Sequence, residues 1–373
     1  MYKGDTIGVV VPAYNESGFV GDVITTLPQF VDRAYVVDDC STDGTWDEIQ
    51  RAAAQMNHRP SASDSPSMES TATEPQTGDP RTDASSTDEL PSDESTEIHA
   101  DGGQVFAPRI VTIRHEKNRG VGGAIKTGYH RAREDGLDVV AVMNGDGQMD
   151  PGILDRIVEP VVSGRAEFAK GNRLTRRAHR ETMSAWRLFG NVLLTFLTKA
   201  VSGYWRMNDP QNGYTAISNR ALETIDLDRL YDDYGFCNDL LVHLNVHELP
   251  IEDVEMESRY GNETSHIKYS RFVPKLSWLL ARRAAWRYHQ KYVLTDFHPL
   301  VFLILFGTMG LGLGSLFVGW SLVATGLTPV AGLLSTLVVM LAGLFLTLAM
   351  IFDRVANEKL ESRVTARPRG GSE

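Results

Sequence analysis

Alternating strand and helix patterns predict an α/β fold on a mostly parallel, Rossmann-like sheet. A long uncharged stretch near the C-terminus predicts a two-helix transmembrane hairpin attached to it. Three observations carry this reading. Apolar runs at residues 6–12, 34–37, 110–113 and 137–143 each end in a polar or glycine-rich turn that leads into a helical pattern. These runs are apolar at nearly every position instead of alternating, as strands covered on both faces require. Residues 299–352 contain no Asp, Glu, Lys or Arg.

Taken in order, strand 6–12 leads through Asn15, Glu16 and Ser17 into a helix over 17–27, and strand 34–37 ends in Asp38 and Asp39. The Asp43-Gly44-Thr45 turn opens a helix over 46–57. Strand 110–113 leads through a glycine-rich loop, 118–123, into a helix over 124–134 and then into strand 137–143. Repeated βα units gather their functional loops at the carboxyl edge of a parallel sheet. The globular domain is therefore expected over residues 1–57 and 105–255, interrupted by 58–104. Residues 59–104 carry eleven Asp and Glu against Arg59 and Arg81, a balance of −9 within the chain's −11. Rich in Ser, Thr and Pro and poor in large apolar side chains, this segment buries too little surface to offset the entropy of ordering and is expected to be disordered. It reads as a solvated insertion, with a regulatory or partner-binding role as the alternative.

Amphipathic juxtamembrane helices are expected over 256–296, two spans within 297–353, and a polar cytosolic tail over 354–373. The spans, 297–324 and 330–352, each exceed what is needed to cross a hydrocarbon core of about 30 Å as a helix. Arg282, Arg283, Arg287 and Lys291 precede the first span, and Arg354, Lys359, Arg363, Arg367 and Arg369 follow the second. Positive flanks on both sides predict that both termini lie in the cytosol. Asp5 and an apolar strand follow the first residue without a signal-peptide pattern, so the large domain is expected there too, on a multi-pass protein of the cell membrane. Cys40 and Cys237 suggest neither a disulfide framework nor a zinc site. The acidic insertion and polar tail suggest an archaeal, salt-adapted source.

Residues 140–151, VAVMNGDGQMDP, bring Asn144, Asp146 and Gln148 to the end of a buried strand. Oxygen ligands on a short acidic turn suit Mg²⁺ or Mn²⁺, which are held by one or two carboxylates together with substrate phosphates. An Asp-Gly turn also serves merely to reverse a chain, and the other motifs decide between the two. His243 and His247 stand four apart but lie among Leu241, Val242, Leu244 and Val246, the pattern of an ordinary amphipathic helix.

Five motifs in register, VVPAYNE, VVDDCSTDGT, NRGVGGA, GDGQMDP and GNR at 171–173, resemble the family-2 glycosyltransferases with the glycosyltransferase-A fold. The nearest resemblance is to the dolichyl-phosphate mannose synthase and polyprenyl-phosphate glucosyltransferase branch, and it runs through most of residues 5–270 outside the insertion. It implies that Pro12, Tyr14, Glu16, Val37 and Asp39 hold a nucleotide sugar, with Asn144, Gly145, Asp146, Arg173, Arg259 and Lys268 completing the donor site. Asn144, Asp146 and Gln148 would face the metal, and Asp146, Arg173, Arg187, Asp209 and Arg259 would carry the reaction. Two departures stand out. The family's acidic turn usually begins with Asp where this chain has Asn144, which leaves Asp146 as the decisive ligand, and Lys268 is only the nearest match to the family's lysine.

The acceptor is read from the second half. Arg173, Arg176, Arg177, Arg180 and Arg187 accumulate at the start of an amphipathic pattern over 186–201, and residues 271–291 combine six Lys and Arg with Trp278, Trp286 and Tyr288. Basic residues beside an apolar face suit a membrane-surface element that receives an anionic head group. The expected partners are therefore a nucleotide sugar (GDP-mannose or UDP-glucose type), polyprenyl or dolichyl phosphate and the bilayer, with no nucleic acid, and with homo-oligomers formed through the spans. The expected reaction is a single inverting displacement by the lipid phosphate. Asp209 would orient the sugar or act as a base toward a hydroxyl, and its Asp-Pro-Gln-Asn-Gly context is equally that of a plain turn. Transfer to a hydroxyl of a lipid-linked glycan, or a silent scaffold that kept the fold, are the alternatives.

Overall fold

A computed structural model of the chain describes residues 1–58, 96–98, 104–173, 185–256, 269–324 and 329–363. Its strands are β1 (Ile7–Ala13), β2 (Arg33–Asp38), β3 (Thr96–Ile98), β4 (Gln104–Phe106), β5 (Ile110–Arg114), β6 (Val139–Val142), β7 (Phe168–Asn172), β8 (Thr215–Ser218), β9 (Ile251–Glu255) and β10 (Glu361–Arg363). The helices around them are α1 (Val20–Thr25), α2 (Thr45–Asn57), α3 (Val121–Glu134), α4 (Leu154–Val162), α5 (Ala185–Ser202), α6 (Asn219–Thr224), α7 (Phe236–Val246) and α8 (Tyr269–His289). Two apolar helices follow, α9 (Leu300–Ala324) and α10 (Pro329–Asn357).

Eight strands form one sheet in the order β10-β9-β7-β8-β6-β1-β2-β5. Every pairing in it is parallel except those of β8, which runs against β6 and β7. The mostly parallel sheet expected from the βα pattern is thus present. Along β1, Ile7, Val9, Val11 and Ala13 face a core shared with α1, α2 and α4, while Val10 faces a second core with α3, α6 and α7. A strand covered on both sides has no polar position to alternate with, which explains the continuous apolar run.

Two elements differ from expectation. The helix read over 17–27 forms only as α1, because Gly18, at φ 92°, turns the chain out of helical conformation ahead of it, and side chains of α2 hold the amides of that turn. Thr45 Oγ1 accepts from Glu16 N–H at 2.8 Å, and Glu48 accepts from the N–H groups of Gly18 and Gly21 at 2.6 and 2.7 Å. Residues 96–98 of the segment read as a disordered insertion form β3, which pairs antiparallel with β4 at the segment's end; residues 59–95 and 99–103 lie outside the described residues.

α5 and α8 pack on α7 through Val201, Val242, Leu276, Leu279 and Leu280, and a π-helical turn, Gln290–Thr295, joins α8 to the hairpin. Stretches of 24 and 29 residues in α9 and α10 are long and apolar enough to cross a bilayer. Only 11% and 17% of their most apolar windows are buried, whereas a soluble core helix would be mostly covered. The two helices approach closely where a Cβ on Gly307 would lie 2.6 Å from Leu346 and one on Gly310 2.9 Å from Ala342. The segment from 354 onward, read as a polar tail, is instead partly built into the protein. α10 continues to Asn357, and residues 361–363 return to the sheet as β10 alongside β9. The helix continues because Asp353, fully buried, meets Arg287 of α8 at 3.0 Å instead of facing solvent. The outgoing end of the hairpin therefore joins the sheet, while the incoming end rests on α7 through Lys291.

One glycine tests how α3 is seated. A Cβ on Gly122 would lie 2.4 Å from the backbone oxygen of Tyr231. Gly122→Ala is expected to cost about 1–3 kcal/mol as overpacking and to lower the thermal unfolding midpoint of the detergent-solubilised protein. Gly343→Ala, with nothing within 4 Å of the new Cβ, serves as the control. Equal midpoints for the two variants would show that the loop around Tyr231 does not rest on α3.

Candidate active site

The parallel strands β1, β2, β5, β6 and β7 all end at one edge of the sheet, and the antiparallel β8 begins there. The segments carrying Pro12, Tyr14, Glu16, Val37, Asp39, Asn144, Gly145, Asp146, Gln148, Arg173 and Asp209 accordingly converge on that edge from elements far apart in sequence. This is where open α/β sheets bind ligands.

After β6 the chain is strapped to β1, since Gly145 N–H donates to the Pro12 carbonyl at 3.1 Å. Asp146 accepts the Gln148 N–H at 3.0 Å. Burial pushes its carboxyl upward, against the opposing pull of that N–H, the Asn144 side chain and the Arg173 charge. It is a half-buried acid whose charge the protein only partly answers.

Arg173, just past β7, forms a two-pronged pair with Asp209, Nε to Oδ2 at 2.7 Å and Nη2 to Oδ1 at 3.1 Å. Asp209 sits at φ 48°, a left-handed conformation that the neighbouring contacts must hold. Lys170, 1% exposed within β7, holds it by donating to the backbone carbonyls of Asn208 and Asp209 and lies 3.3 Å from Asp253. The Arg173–Asp209 pairing brings together two residues read separately from sequence, and Lys170 was missed. A lysine in the otherwise uncharged FAKGN strand was the available signal, because a buried ammonium demands partners.

At the ends of β1 and β2, Pro12 and Val37 are buried and Tyr14 is 46% exposed, its ring open to a ligand. Asp39 is buried and faces inward. It accepts from His115 Nδ1 at 2.7 Å and from the N–H groups of Arg119 and Gly120, both at 2.8 Å. It fixes the glycine-rich loop ahead of α3, where Gly120 has φ 83° and a Cβ would come within 2.5 Å of the Asp232 carbonyl. His115, whose other ring nitrogen contacts Thr127 Oγ1 at 2.9 Å, is a second residue that sequence reading passed over.

Arg259 and Lys268 lie outside the described residues, as do Arg176, Arg177 and Arg180; Arg187 falls on the first turn of α5. His243 is a core residue. Burial, reinforced by Arg283, pushes its pKa down to about 3, and its ring lies 4.6 Å from that of Trp286. A cavity of about 640 Å³ opens between the Arg119 loop, Tyr231 and α8. None of the β1, β6 or β7 edge residues lines it, and its Lys275 and Arg283 are already paired with Asp233 and Asp239.

The electrostatics of Asp209 are testable. Burial opposes its ionisation, but hydrogen bonds and charge from Arg173, with Lys170 behind, hold its carboxyl below the usual carboxylate range. A carboxyl depressed in the folded state contributes fully above its unfolded value of about 3.9 and loses that contribution as pH falls through the folded value. Asp209→Asn is expected to cost about 1–3 kcal/mol, less than a fully buried pair because Arg173 is 40% exposed. In thermal melts the deficit should be constant from about pH 8 to pH 5 and shrink below about pH 4. A deficit that changes near neutrality would show that Asp209 titrates there.

The sequence profile of Glycosyl transferase family 2 matches residues 8–61 and 85–225, just over half of the chain, and its gap falls in the acidic stretch. The chain is 30% identical over 162 residues to UDP-N-acetylglucosamine--dolichyl-phosphate N-acetylglucosaminyltransferase of Methanococcus voltae, across 42% of this chain and 64% of that protein. It therefore spans just under two thirds of that relative. It is 27% identical over 188 residues to undecaprenyl-phosphate mannosyltransferase of Micrococcus luteus, across 47% of this chain and 74% of that protein. The fold is similar to glucosyl-3-phosphoglycerate synthase of Mycobacterium tuberculosis, solved with uridine diphosphate, at a TM-score of 0.48 and 17% identity, covering 76% of this chain and 81% of that one. This chain belongs to glycosyl transferase family 2.

Proposed function

We propose that the enzyme transfers a hexose from a nucleotide sugar to a polyprenyl phosphate of the dolichyl type, at the cytosolic face of a membrane. The observation that carries this reading is the outward apolar surface that follows the catalytic edge. The described chain resumes after Arg173 in α5, which exposes Val192, Leu193, Phe196 and Leu197, and α9 and α10 direct their apolar side chains outward. Such faces fit lipid, so an acceptor with an isoprenoid tail reaches the edge from the bilayer. Both ends of the hairpin adjoin one catalytic domain, and their positive flanks favour the cytosolic side.

The residues of the edge fit a donor held with Mg²⁺ or Mn²⁺. Asp146 supplies a carboxylate incompletely neutralised by the protein, with Asn144 and Gln148 as neutral oxygens. Among the described residues no three or more His, Cys, Asp or Glu gather to hold an ion without the donor. When bound, such an ion offsets the charge of a departing diphosphate. Pro12, Val37 and Tyr14 offer an apolar wall to the base, and Arg173 places positive charge beside Asp146 where negative charge accumulates. Arg187, on the segment next to that edge, is assigned to the lipid phosphate, and Arg259 and Lys268 to the donor side. A lipid phosphate has a second pKa of about 6 and attacks as an anion, so no strong base is required.

Washed membranes containing the enzyme should transfer label from one of UDP-glucose, UDP-N-acetylglucosamine or GDP-mannose to polyprenyl phosphate in the presence of Mn²⁺. Asp146→Ala should insert normally yet retain less than about a hundredth of that activity. Wild-type turnover in Asp146→Ala would overturn the metal assignment. Failure of every donor with wild-type enzyme would overturn the acceptor.

A further inference from the structure

The backbone immediately before Asp209 is held by side chains that come after the membrane hairpin. The N–H groups of Trp205, Arg206 and Met207 all point at one carboxylate, that of Glu361 in β10, at 2.6, 2.6 and 2.8 Å. Glu361 is 8% exposed, and those three donors are what balance its buried charge. Successive amides converging on one anion form a rigid concavity, and the anion fixes the backbone that makes it. The indole N–H of Trp205 donates in turn to Asp353, at the end of α10, at 2.9 Å. From the sheet side, Asp253 accepts the Asn208 N–H at 2.7 Å, and Lys170 takes the next carbonyls. Residues 205–209 thus have two sets of anchors, one from β7 and β9 and one from the segment that returns out of the hairpin.

The donor end of the site is independent of that second set. Asp39 is fixed by His115 and the Arg119 loop, Asn15 by Ser41 and Thr42, and Glu16 by Thr45, anchors that come from the segments following β2 and β5. A shift of the 205–209 loop would therefore displace Asp209 and the Arg173 paired to it while leaving the base pocket in place.

We propose that Glu361 is a positioning residue for the transfer step: by closing the amide concavity at residues 205–207, the strand that returns from the membrane hairpin sets the place of Asp209, and with it of Arg173, whose charge faces the diphosphate as it departs. This rests on the lipid-phosphate reading given above. It also gives the return strand a use beyond covering an edge of the sheet. The acceptor-side loop and the base of the hairpin become one rigid unit, so the reacting edge keeps a fixed height relative to the bilayer surface.

The test uses the full-length protein in nanodiscs. Glu361→Gln keeps the size of the side chain but replaces one of the two accepting oxygens with an N–H donor, facing either Trp205 or Arg206 and Met207. Its kcat for transfer to polyprenyl phosphate should fall about tenfold or more, since displacements near 1 Å can cost about a hundredfold, while the KM of the nucleotide sugar changes less than about twofold. Glu361→Asp, which retains the charge on a shorter stem, should recover part of the loss and serves if the glutamine variant does not fold. Hydrogen exchange supplies the structural arm: amides 205–207 should lose protection in Glu361→Gln while those of β7 and β9 keep theirs. An unchanged kcat, or a loss expressed mainly as a raised KM of the nucleotide sugar with exchange rising across the sheet, would overturn the positioning role. A wild-type enzyme that transfers nothing to polyprenyl phosphate would instead overturn the acceptor reading on which it rests.

Discussion

A charge pair sealed from water at the junction of two environments governs the architecture. Arg287 and Asp353 are both fully buried, 3.0 Å apart, one on the helix that leaves the catalytic domain and the other on the helix that comes back. Taking two ions out of water costs several kcal/mol each, and their attraction repays this only with good geometry and further hydrogen bonds. Those bonds are present: Arg287 donates to Asn245 of α7 and to the Ala200 carbonyl of α5, and Asp353 accepts from Tyr292 and Trp205. Around them Lys291 and Asn357 complete a network with Asn245. Gly203 belongs to the same constraint, since at φ 80° it leaves room where a Cβ would lie 2.3 Å from Arg287. Such a cluster adds little net stability, but losing either member strands a buried charge at about 3–5 kcal/mol. Its effect is to admit one arrangement of hairpin and catalytic domain and to penalise every other.

The same logic runs through the sheet edge in milder form. Each loop there is held by a side chain from a different βα unit: Asp39 holds the Arg119 loop, Glu48 the turn before α1, Lys170 and Asp253 the loop before β8. Backbone amides at strand ends must find acceptors once they are shielded from water. Meeting that demand across units, instead of within them, is what makes several loops into one rigid site. Preorganisation of this kind lets a few polar groups act on a diphosphate without first having to be ordered.

Central strands were legible in the sequence because both faces of β1 and β6 are covered, leaving an unbroken apolar record. The candidate spans, α9 and α10, were legible for the same reason, being long and almost continuously apolar. Elements at the margin left no such record. β8 is a four-residue antiparallel strand, and β10 reads Glu-Ser-Arg, which no hydrophobic pattern singles out. Both exist because of what they pair with. The residues of the edge were found by motif, yet their relations were not: Arg173 and Asp209 stand 36 positions apart, and nothing in either segment states that they meet. Asp39, 80 and 81 positions from Arg119 and Gly120, accepts both of their N–H groups, a relation that composition does not encode.

The Arg173–Asp209 pair also separates the two kinds of acceptor. A hydroxyl nucleophile must lose a proton as it attacks, and the base that takes it works best with a pKa near the operating pH. Asp209 is displaced in the opposite direction, gripped at both oxygens by a guanidinium and backed by a buried lysine, so its lone pairs are poor proton acceptors at neutrality. Freeing it would cost that two-pronged contact and leave Arg173 without its counter-charge. A phosphate monoester needs none of this. It arrives negatively charged, and what it lacks is positive charge to approach and a fixed line of attack, which can supply several kcal/mol of the barrier. An edge whose acid is tied down and whose arginine is held 40% exposed in one orientation suits the anionic nucleophile proposed above.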